Sequence, residues 1–358
     1  MKKIFIIVGT RPNFIKITQF KKEAAKFPNL QIKIIHTGQH FDANMSDIFF
    51  QQFELEPDIY LNADKGRPAS QIASIIQKLD HLVNEDKPDL ILVPGDVNST
   101  LATSIVANKN NIPLGHIESG LRSFDQGMPE EHNRVLTDQI SQYCFVTEPS
   151  GMHNLAQENN LSSVHYVGNT MIDTLVAFQK SIDECNYYQQ LDLEKGNYFL
   201  LTMHRPSNVD NKEGLTFLHQ LLKDLSVSRD VVFPAHPRTL KNLEGLNLLE
   251  EINNNPKVHF IEPLGYFELQ NLVKNAFCCI TDSGGIQEET TFVQIPCLTL
   301  RPNTERPITI TKGTNTLLPN DIGMVKKYVK AIEQGEYKQG EIPENWDGKA
   351  TVRSVEVL

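Results

Sequence analysis

Carboxylates, guanidiniums and histidines fall in this sequence directly after short apolar runs, where a solvated surface gives no reason to gather them. The densest group is "HIESGLRSFDQGMPEEHNR", which packs Glu118, Glu130, Glu131, Arg122 and Arg134 into one glycine- and proline-punctuated segment. Glu118 ends an apolar run, Gly120 and Gly127 permit a loop that folds back, and Pro129 opens a helix. On that helix Glu130 and Arg134 are four apart and share a face, whereas Glu131 points roughly 100° away. Glu131 reads as an acidic helix start favoured by the dipole. Glu118 and Glu130 read as a strand-end and a loop-borne carboxylate that converge, which suits proton transfer. "VPGDVNST" sets Asp96 after another apolar run, where a helix N-cap explains it at least as well as chemistry does.

A second set suits an anion. In "TDSGGIQEET", Gly284 and Gly285 let backbone approach a phosphate, and the helix begun at Ser283 offers unpaired N–H groups. Glu288 and Glu289 follow, placed where either could reach a ribose hydroxyl. An ordinary tight turn with an acidic helix start is equally compatible with these residues. The motif is neither GxGxxG nor GxxxxGK[ST], which disfavours a dinucleotide cofactor and a P-loop nucleotide. "VGTRPNFIK" adds Arg11, whose fork suits phosphate or carboxylate, and Lys16. "TMHRPSN" and "FPAHPRTL" add His204 and His236. Without HExxH or a third ligand at metal spacing a metal site is disfavoured, and a histidine facing phosphate fits better. "LRPNTERPITI" brings Arg301, Glu305 and Arg306 into a proline-rich loop.

The elements that must position these groups alternate. "KIFIIVG", "QIKIIHTG", "DLILVPGD", "IPLGHIES", "YCFVTE" and "VHYVGN" read as buried parallel strands with helical segments between them. The pattern restarts with "YFLLTMH", "DVVFPAHP", "VHFIEP", "FCCITDS" and "PCLTLRP". Alternation means α/β doubly wound sheets, and the restart means two of them. A chain of 358 residues also exceeds one comfortable core. We therefore expect a Rossmann-like domain over 1–168, a second over 169–340, and a terminal helical segment, 341–358, packing back towards the first. In open α/β sheets ligands collect at the carboxyl ends of strands. Thr10–Arg11, Gly95–Asp96, His116–Glu118, His204–Arg205, His236 and Asp282–Gly285 all end apolar runs, so two such sheets facing across a cleft would trap one ligand.

Composition narrows the partners. With 40% hydrophobic and 22% charged residues the chain is ordinary globular protein. A net charge of −10 argues against nucleic acid, although a local cluster of Arg and Lys can still focus on an anion. The five cysteines show no CxxC spacing, and Cys278 and Cys279 sit in an apolar run, as in a reducing cytoplasm. "MKKIFIIVGTRP" breaks after a six-residue apolar run, so it reads as a first strand rather than a signal peptide. No run reaches the length of a membrane span.

Taken in order, "GTRPNFIK", "PGDVNST", "HIESGLRS", "MPEEHNR", "TMHRPSN", "TDSGGIQEE", "ERP" and "DGKA" resemble the non-hydrolysing UDP-N-acetylglucosamine 2-epimerases. The resemblance spans Gly9 to Ala350 and implies the glycosyltransferase-B fold, a UDP-sugar ligand, no cofactor, no metal and a homodimer. It implies inversion at C2 of UDP-N-acetylglucosamine to give UDP-N-acetylmannosamine, by anti elimination of UDP to a 2-acetamidoglucal and re-addition. Carried over by motif, Asp96, Glu118 and Glu130 would be the acid/base set, and His204 would stabilise the departing phosphate. Arg11, Ser283, Gly284, Gly285 and Arg306 would hold the diphosphate, and Glu289 the ribose. Lys16, Arg134 and His236 would complete the pocket, and backbone near Leu269 would meet the uracil. The sequence departs from the family's pattern at Asn13 and Ser207, where Glu is usual, which points to a diacetamido uronate as a competing substrate. Asp42 replaces a Gln after the Gln39–His40 pair, which weighs against allosteric activation by substrate. The same fold and residues also admit a hydrolysing epimerase, a silent UDP-sugar binder or a glycosyltransferase proper.

Overall fold

The computed structural model describes residues 1–38, 50–64 and 66–358, so Gln39, His40 and Asp42 lie outside the described residues. The chain divides into two units, Met1–Ala177 with Glu344–Leu358, and Phe178–Pro343. Each is a wholly parallel sheet between helices, the α/β doubly wound topology read from the sequence.

In the first unit the strands are β1 (Lys2–Val8), β2 (Leu30–His36), β3 (Ile59–Tyr60), β4 (Leu90–Pro94), β5 (Leu114–Ser119), β6 (Tyr143–Val146) and β7 (Ser163–Tyr166), ordered 3-2-1-4-5-6-7. In the second they are β8 (Tyr198–Thr202), β9 (Asp230–Pro234), β10 (Val258–Ile261), β11 (Cys278–Thr281), β12 (Cys297–Leu300) and β13 (Asn315–Leu318), ordered 10-9-8-11-12-13. Strand order thus reverses between β1 and β4 in one sheet and between β8 and β11 in the other. These switch points are where the strand ends splay and a ligand crevice opens.

The central strands are mostly apolar because helices cover both their faces, and β5 departs from this with His116 and Glu118. Phe5, Ile7, Ile91, Val93 and Leu114 pack on Leu79, Val83 and Val106 from two helices of the first unit. In the second, Phe199, Leu201, Val231, Phe233 and Ile280 pack on Leu218, Leu222 and Val325, while Leu200, Val232 and Cys279 meet Leu272, Val273 and Ile286 on the other face. Each such side chain contributes about 1.5–3 kcal/mol on burial. Six of the described helices open on proline (Pro68, Pro129, Pro149, Pro206, Pro237 and Pro307), whose missing N–H costs nothing at a first helical turn.

Two features differ from the sequence reading. The short strands β3 and β13 are not among the expected runs. The helix Thr170–Ala177, placed by sequence after the boundary at 168, stays with the first unit. Its Met171, Ile172 and Leu175 are buried there, and the Thr174 hydroxyl donates to the Ile15 carbonyl. Asp173 on the same helix accepts the first N–H groups of the terminal helix Ala350–Val357, from Ala350 at 3.0 Å and from Thr351. The Trp346 indole donates to Thr147 O at 3.0 Å, so the terminal segment is anchored to the first unit from Glu344 onward.

Candidate active site

At the first switch point, β1 runs into the turn Gly9–Thr10 and a short helix, Arg11–Ile15, while β4 runs into the turn Gly95–Asp96. Asn13 joins these turns. Its Oδ1 accepts the N–H groups of Gly9 and Thr10 at 3.0 and 3.1 Å, and its Nδ2 donates to Pro94 O at 3.0 Å. The departure at Asn13 is therefore a structural staple, and a glutamate there would set a carboxylate oxygen against the Pro94 carbonyl. Arg11 opens the helix, and burial lowers its guanidinium to about 10.

Glu118 sits where the β5–β6 register shifts between Ile117 and Ser119. Its φ of 74° lies in the left-handed region, where a glutamate is strained. A bulge of this kind re-aims a side chain, and here the Glu118 carboxylate meets the Lys16 ammonium in a buried ion pair. Gly95 allows this: with φ +69°, a Cβ there would lie 2.9 Å from Lys16 Nζ and 3.4 Å from Glu118 Oε2.

Asp96 does not cap the following helix, whose N-cap is Val97 with no side-chain bond. Its carboxylate instead faces Arg134, with Oδ2 2.8 Å from Nη2 and 3.0 Å from Nε, and its carbonyl takes Asn133 Nδ2 at 2.8 Å. Arg134 also pairs with Glu131, not with Glu130 as the four-residue spacing suggests. Glu130 is exposed. The first unit thus gathers Arg11, Lys16, Asp96, Glu118 and Arg134 at one sheet end, with Glu130 on the helix that supplies Arg134.

At the second switch point, β8 leads through Met203 to His204 and β11 leads into Asp282. Asp282 is fully buried and accepts from His204 N, Arg205 N at 2.9 Å and Asn208 Nδ2 at 2.9 Å, while its Oδ1 is 2.9 Å from His204 Nδ1. Burial alone would raise this carboxyl, yet the His204 ring and these donors hold it below the ordinary range. The imidazole itself is largely exposed, its Nδ1 directed inward.

Ser283 is the N-cap of the helix Gly284–Val293 and makes no side-chain cap bond. The Arg306 guanidinium lies over that helix start, so a Cβ at Gly284 would be 2.8 Å from its Nη1. Arg306 is held by Glu288 at 2.9 Å and by Glu305 at 3.2 Å, and Glu305 is itself gripped by Arg301 at 2.8 and 3.1 Å. One turn along, Glu289 is buried beside Gln270 and Tyr266; burial, with the neighbouring Glu288 charge adding, pushes its carboxyl up to about 8.

His236 follows β9 by two residues and caps the helix Pro237–Gly245, its Nδ1 accepting Arg238 N–H at 3.2 Å. Leu269 gives its own N–H to Gly265 O inside the helix Tyr266–Asn275. With the amide of Leu269 spent, a backbone N–H for a base there falls to the helix's first turn or to the loop before it. Ser207 is exposed on the short helix after His204.

Three residues take parts that the sequence does not assign them: Glu131, read only as an acidic helix start, Asp282, read only as a residue ending an apolar run, and Asn208. Asp282 carried a usable signal, a carboxylate ending an apolar run beside the Ser-Gly-Gly turn. Glu131 and Asn208 gave none, since their partners lie in loops whose course only the fold defines.

The sequence model of the UDP-N-acetylglucosamine 2-epimerase family matches residues 22–358. A UDP-N-acetylglucosamine 2-epimerase of Methanococcus maripaludis is 40% identical over 343 residues, 92% of this chain and 93% of the relative. A UDP-2,3-diacetamido-2,3-dideoxy-D-glucuronate 2-epimerase of Pseudomonas aeruginosa is 37% identical over 322 residues, 88% of each chain. The crystal structure of Methanocaldococcus jannaschii UDP-GlcNAc 2-epimerase in complex with UDP-GlcNAc and UDP superposes with a TM-score of 0.88 at 38% identity, covering 99% of both chains.

Proposed function

Since the chain belongs to the UDP-N-acetylglucosamine 2-epimerase family, we propose that it interconverts UDP-N-acetylglucosamine and UDP-N-acetylmannosamine, working on the glycosyltransferase-B fold. The observation that carries this reading is the division of chemistry between the switch points. The first gathers two carboxylates, Asp96 and Glu118, against Arg134 and Lys16, and Glu130 stands exposed at the start of the helix that carries Arg134. The second offers cations and helix N–H groups suited to a diphosphate.

The C2 proton of the sugar is not acidic, so it leaves only as the C1–O bond breaks and charge moves onto the diphosphate. One carboxylate of the first unit takes that proton, C1 and C2 become the double bond of 2-acetamidoglucal, and UDP departs with the bonding pair. A second carboxyl group, present as the acid, then gives its proton to C2 from the opposite face and is left as carboxylate while UDP re-adds at C1. Arg11, Ser283, Gly284, Gly285 and Arg306 hold the diphosphate, and His204, oriented by Asp282, donates to it as charge grows. Glu289 takes the ribose, and Lys16, Arg134 and His236 complete the pocket. An enzyme of this kind must keep the glycal from water.

Proton NMR of the protein with UDP-N-acetylglucosamine in D₂O tests this. UDP-N-acetylmannosamine carrying deuterium at C2 is the expected product. Free N-acetylmannosamine with UDP would replace the reading by a hydrolysing one. The similarity to the diacetamido-glucuronate epimerase favours a second substrate to be tried, that UDP-uronate itself. The departure at Ser207 keeps that reading open, whereas Asn13 is spent on backbone and gives it no support. We also read the protein as a cytoplasmic homodimer supplying N-acetylmannosamine units for surface polysaccharide, on the resemblance alone, and light scattering of the purified protein checks the dimer.

A further inference from the structure

The turns bearing Asp96 and Glu118 are joined from beneath by one buried side chain. His116, in β5, has no exposed surface; its Nε2 lies 2.7 Å from the Gly95 carbonyl oxygen and its Nδ1 2.6 Å from Asp138 Oδ1. The carbonyl can only accept. Asp138, on the helix Pro129–Ile140, is an acceptor as well: Oδ2 takes Gly120 N–H at 3.0 Å and lies 2.7 Å from Arg122 Nη1. Burial would raise the Asp138 carboxyl, but His116 and Arg122 hold it below the ordinary range. Glu158 closes the set, 2.7 Å from both Arg122 Nε and Nη2. Cys144, paired with His116 across the sheet, has its thiol pushed up to about 11 by burial and stays uncharged.

Two acceptors facing one imidazole require hydrogen on both ring nitrogens, because a bare nitrogen would set a lone pair against an acceptor in a dry interior. The charges of His116, Asp138, Arg122 and Glu158 then balance. The consequence reaches the carboxylates above. Gly95, held through its carbonyl, immediately precedes Asp96, and Gly120, held through its N–H by the same Asp138, follows the bulge that aims Glu118. We infer that His116 is a positioning residue, a two-donor ring that with Asp138 sets the separation of the Asp96 and Glu118 turns. This deepens the epimerase reading and rests on it for its catalytic meaning.

The test uses the full chain, with ¹⁵N-labelled histidine, in mildly alkaline buffer. One imidazole is expected to show both ring N–H protons in slow exchange, and that signal should vanish in His116→Gln. A single ring proton on His116 in the wild-type protein overturns the inference. In the NMR assay of the epimerase reaction, His116→Gln should lower kcat about 100-fold, the scale of a misplacement near 1 Å, while KM for the UDP-sugar stays within about threefold. Asp138→Asn can donate to Nδ1 and accept from Gly120, so it should retain kcat within about tenfold with a single ring proton. Loss of kcat in Asp138→Asn equal to that in His116→Gln, or unchanged kcat in a folded His116→Gln, also overturns it. If the wild-type protein fails to turn over UDP-sugars, the functional reading falls while the ring spectrum still decides the two-donor state of His116.

Discussion

Glu130 and Glu131 are neighbours in the chain with opposite surroundings. Glu130 is exposed at the helix start, whereas Glu131 is 2% exposed and spends its carboxylate on the N–H groups of Ser123 and Phe124, each at 2.9 Å, and on Arg134. The second glutamate thus fixes the loop that follows Glu118, and the first remains available to a substrate.

Substitution should separate the two. Glu131→Gln strands buried donors and should lower stability by about 1–3 kcal/mol in urea unfolding. Glu130→Gln should leave the unfolding midpoint unchanged and reduce kcat by about 10²–10⁴. Wild-type kcat in the Glu130 variant would remove it from the acid/base set.

The Lys16–Glu118 pair is buried on both sides, so removing one partner leaves a charge without compensation. Lys16→Met should cost about 3–5 kcal/mol. Adding Glu118→Leu should recover part of that loss, because the two side chains share one interaction. Additive losses in the double variant would show that the pair contributes no coupling.

How far the sequence carried can be seen from particular residues. The apolar runs ending at Val8, Pro94, Thr202 and Thr281 mark both switch points, because strands covered on both faces are predominantly apolar. His204 and Ser283 stand out for the same reason, as polar residues just beyond an apolar run, and Arg306 stands out in the proline-rich loop after another. The role of Asn13, the partner of Arg134 and the bulge at Glu118 were not legible. Each depends on a contact between segments far apart in the chain, and periodicity within one helix cannot rank Glu130 against Glu131 once a loop folds over it. The first unit runs on past residue 168 to Ala177 for a similar reason: the helix Thr170–Ala177 owes its place to Asp173 and a helix starting at Ala350.

His204 meets Asp282 at 2.9 Å, and that carboxylate also holds the backbone of the turn. Asp282→Asn should keep the turn but lose the preference for a proton on Nδ1, lowering kcat about 100-fold or more, as when an orienting carboxylate is removed from a histidine. Because the Asp282 carboxyl is held low in the fold, its contribution to stability is present above the ordinary carboxylate range, about pH 4, and is lost as pH falls through its folded value. The Asn variant should therefore show a shallower loss of melting temperature on acidification. Equal acid sensitivity would mean that Asp282 does not drive it.

Gly284 is short of room rather than conformationally special. An added methyl would press on Arg306, which Glu288 and Glu305 prevent from swinging aside freely. Gly284→Ala should raise KM for the UDP-sugar by about tenfold, with the melting temperature within a few degrees of wild type. Isothermal titration with UDP reads the same displacement without turnover, and unchanged affinity would free Arg306 from the diphosphate role.

Glu289 gives the clearest dependence on pH. Its carboxyl is raised to about 8 in the fold, by burial first and by Glu288 second, against about 4.3 in an unfolded chain. Between these values the folded protein keeps a proton that the unfolded chain has released. Stability is therefore lost as pH rises from about 4, and the loss levels off once the folded carboxyl ionises above about 8. Glu289→Gln keeps the shape and removes the titration, so its melting temperature should match wild type near pH 4 and exceed it increasingly up to about pH 8. Parallel curves would mean that the carboxyl titrates normally. Nucleotide binding then tells which form the ribose needs: a carboxylate that accepts two hydroxyls must ionise to do so, and UDP affinity would rise with pH in the wild type but stay flat in the Gln variant.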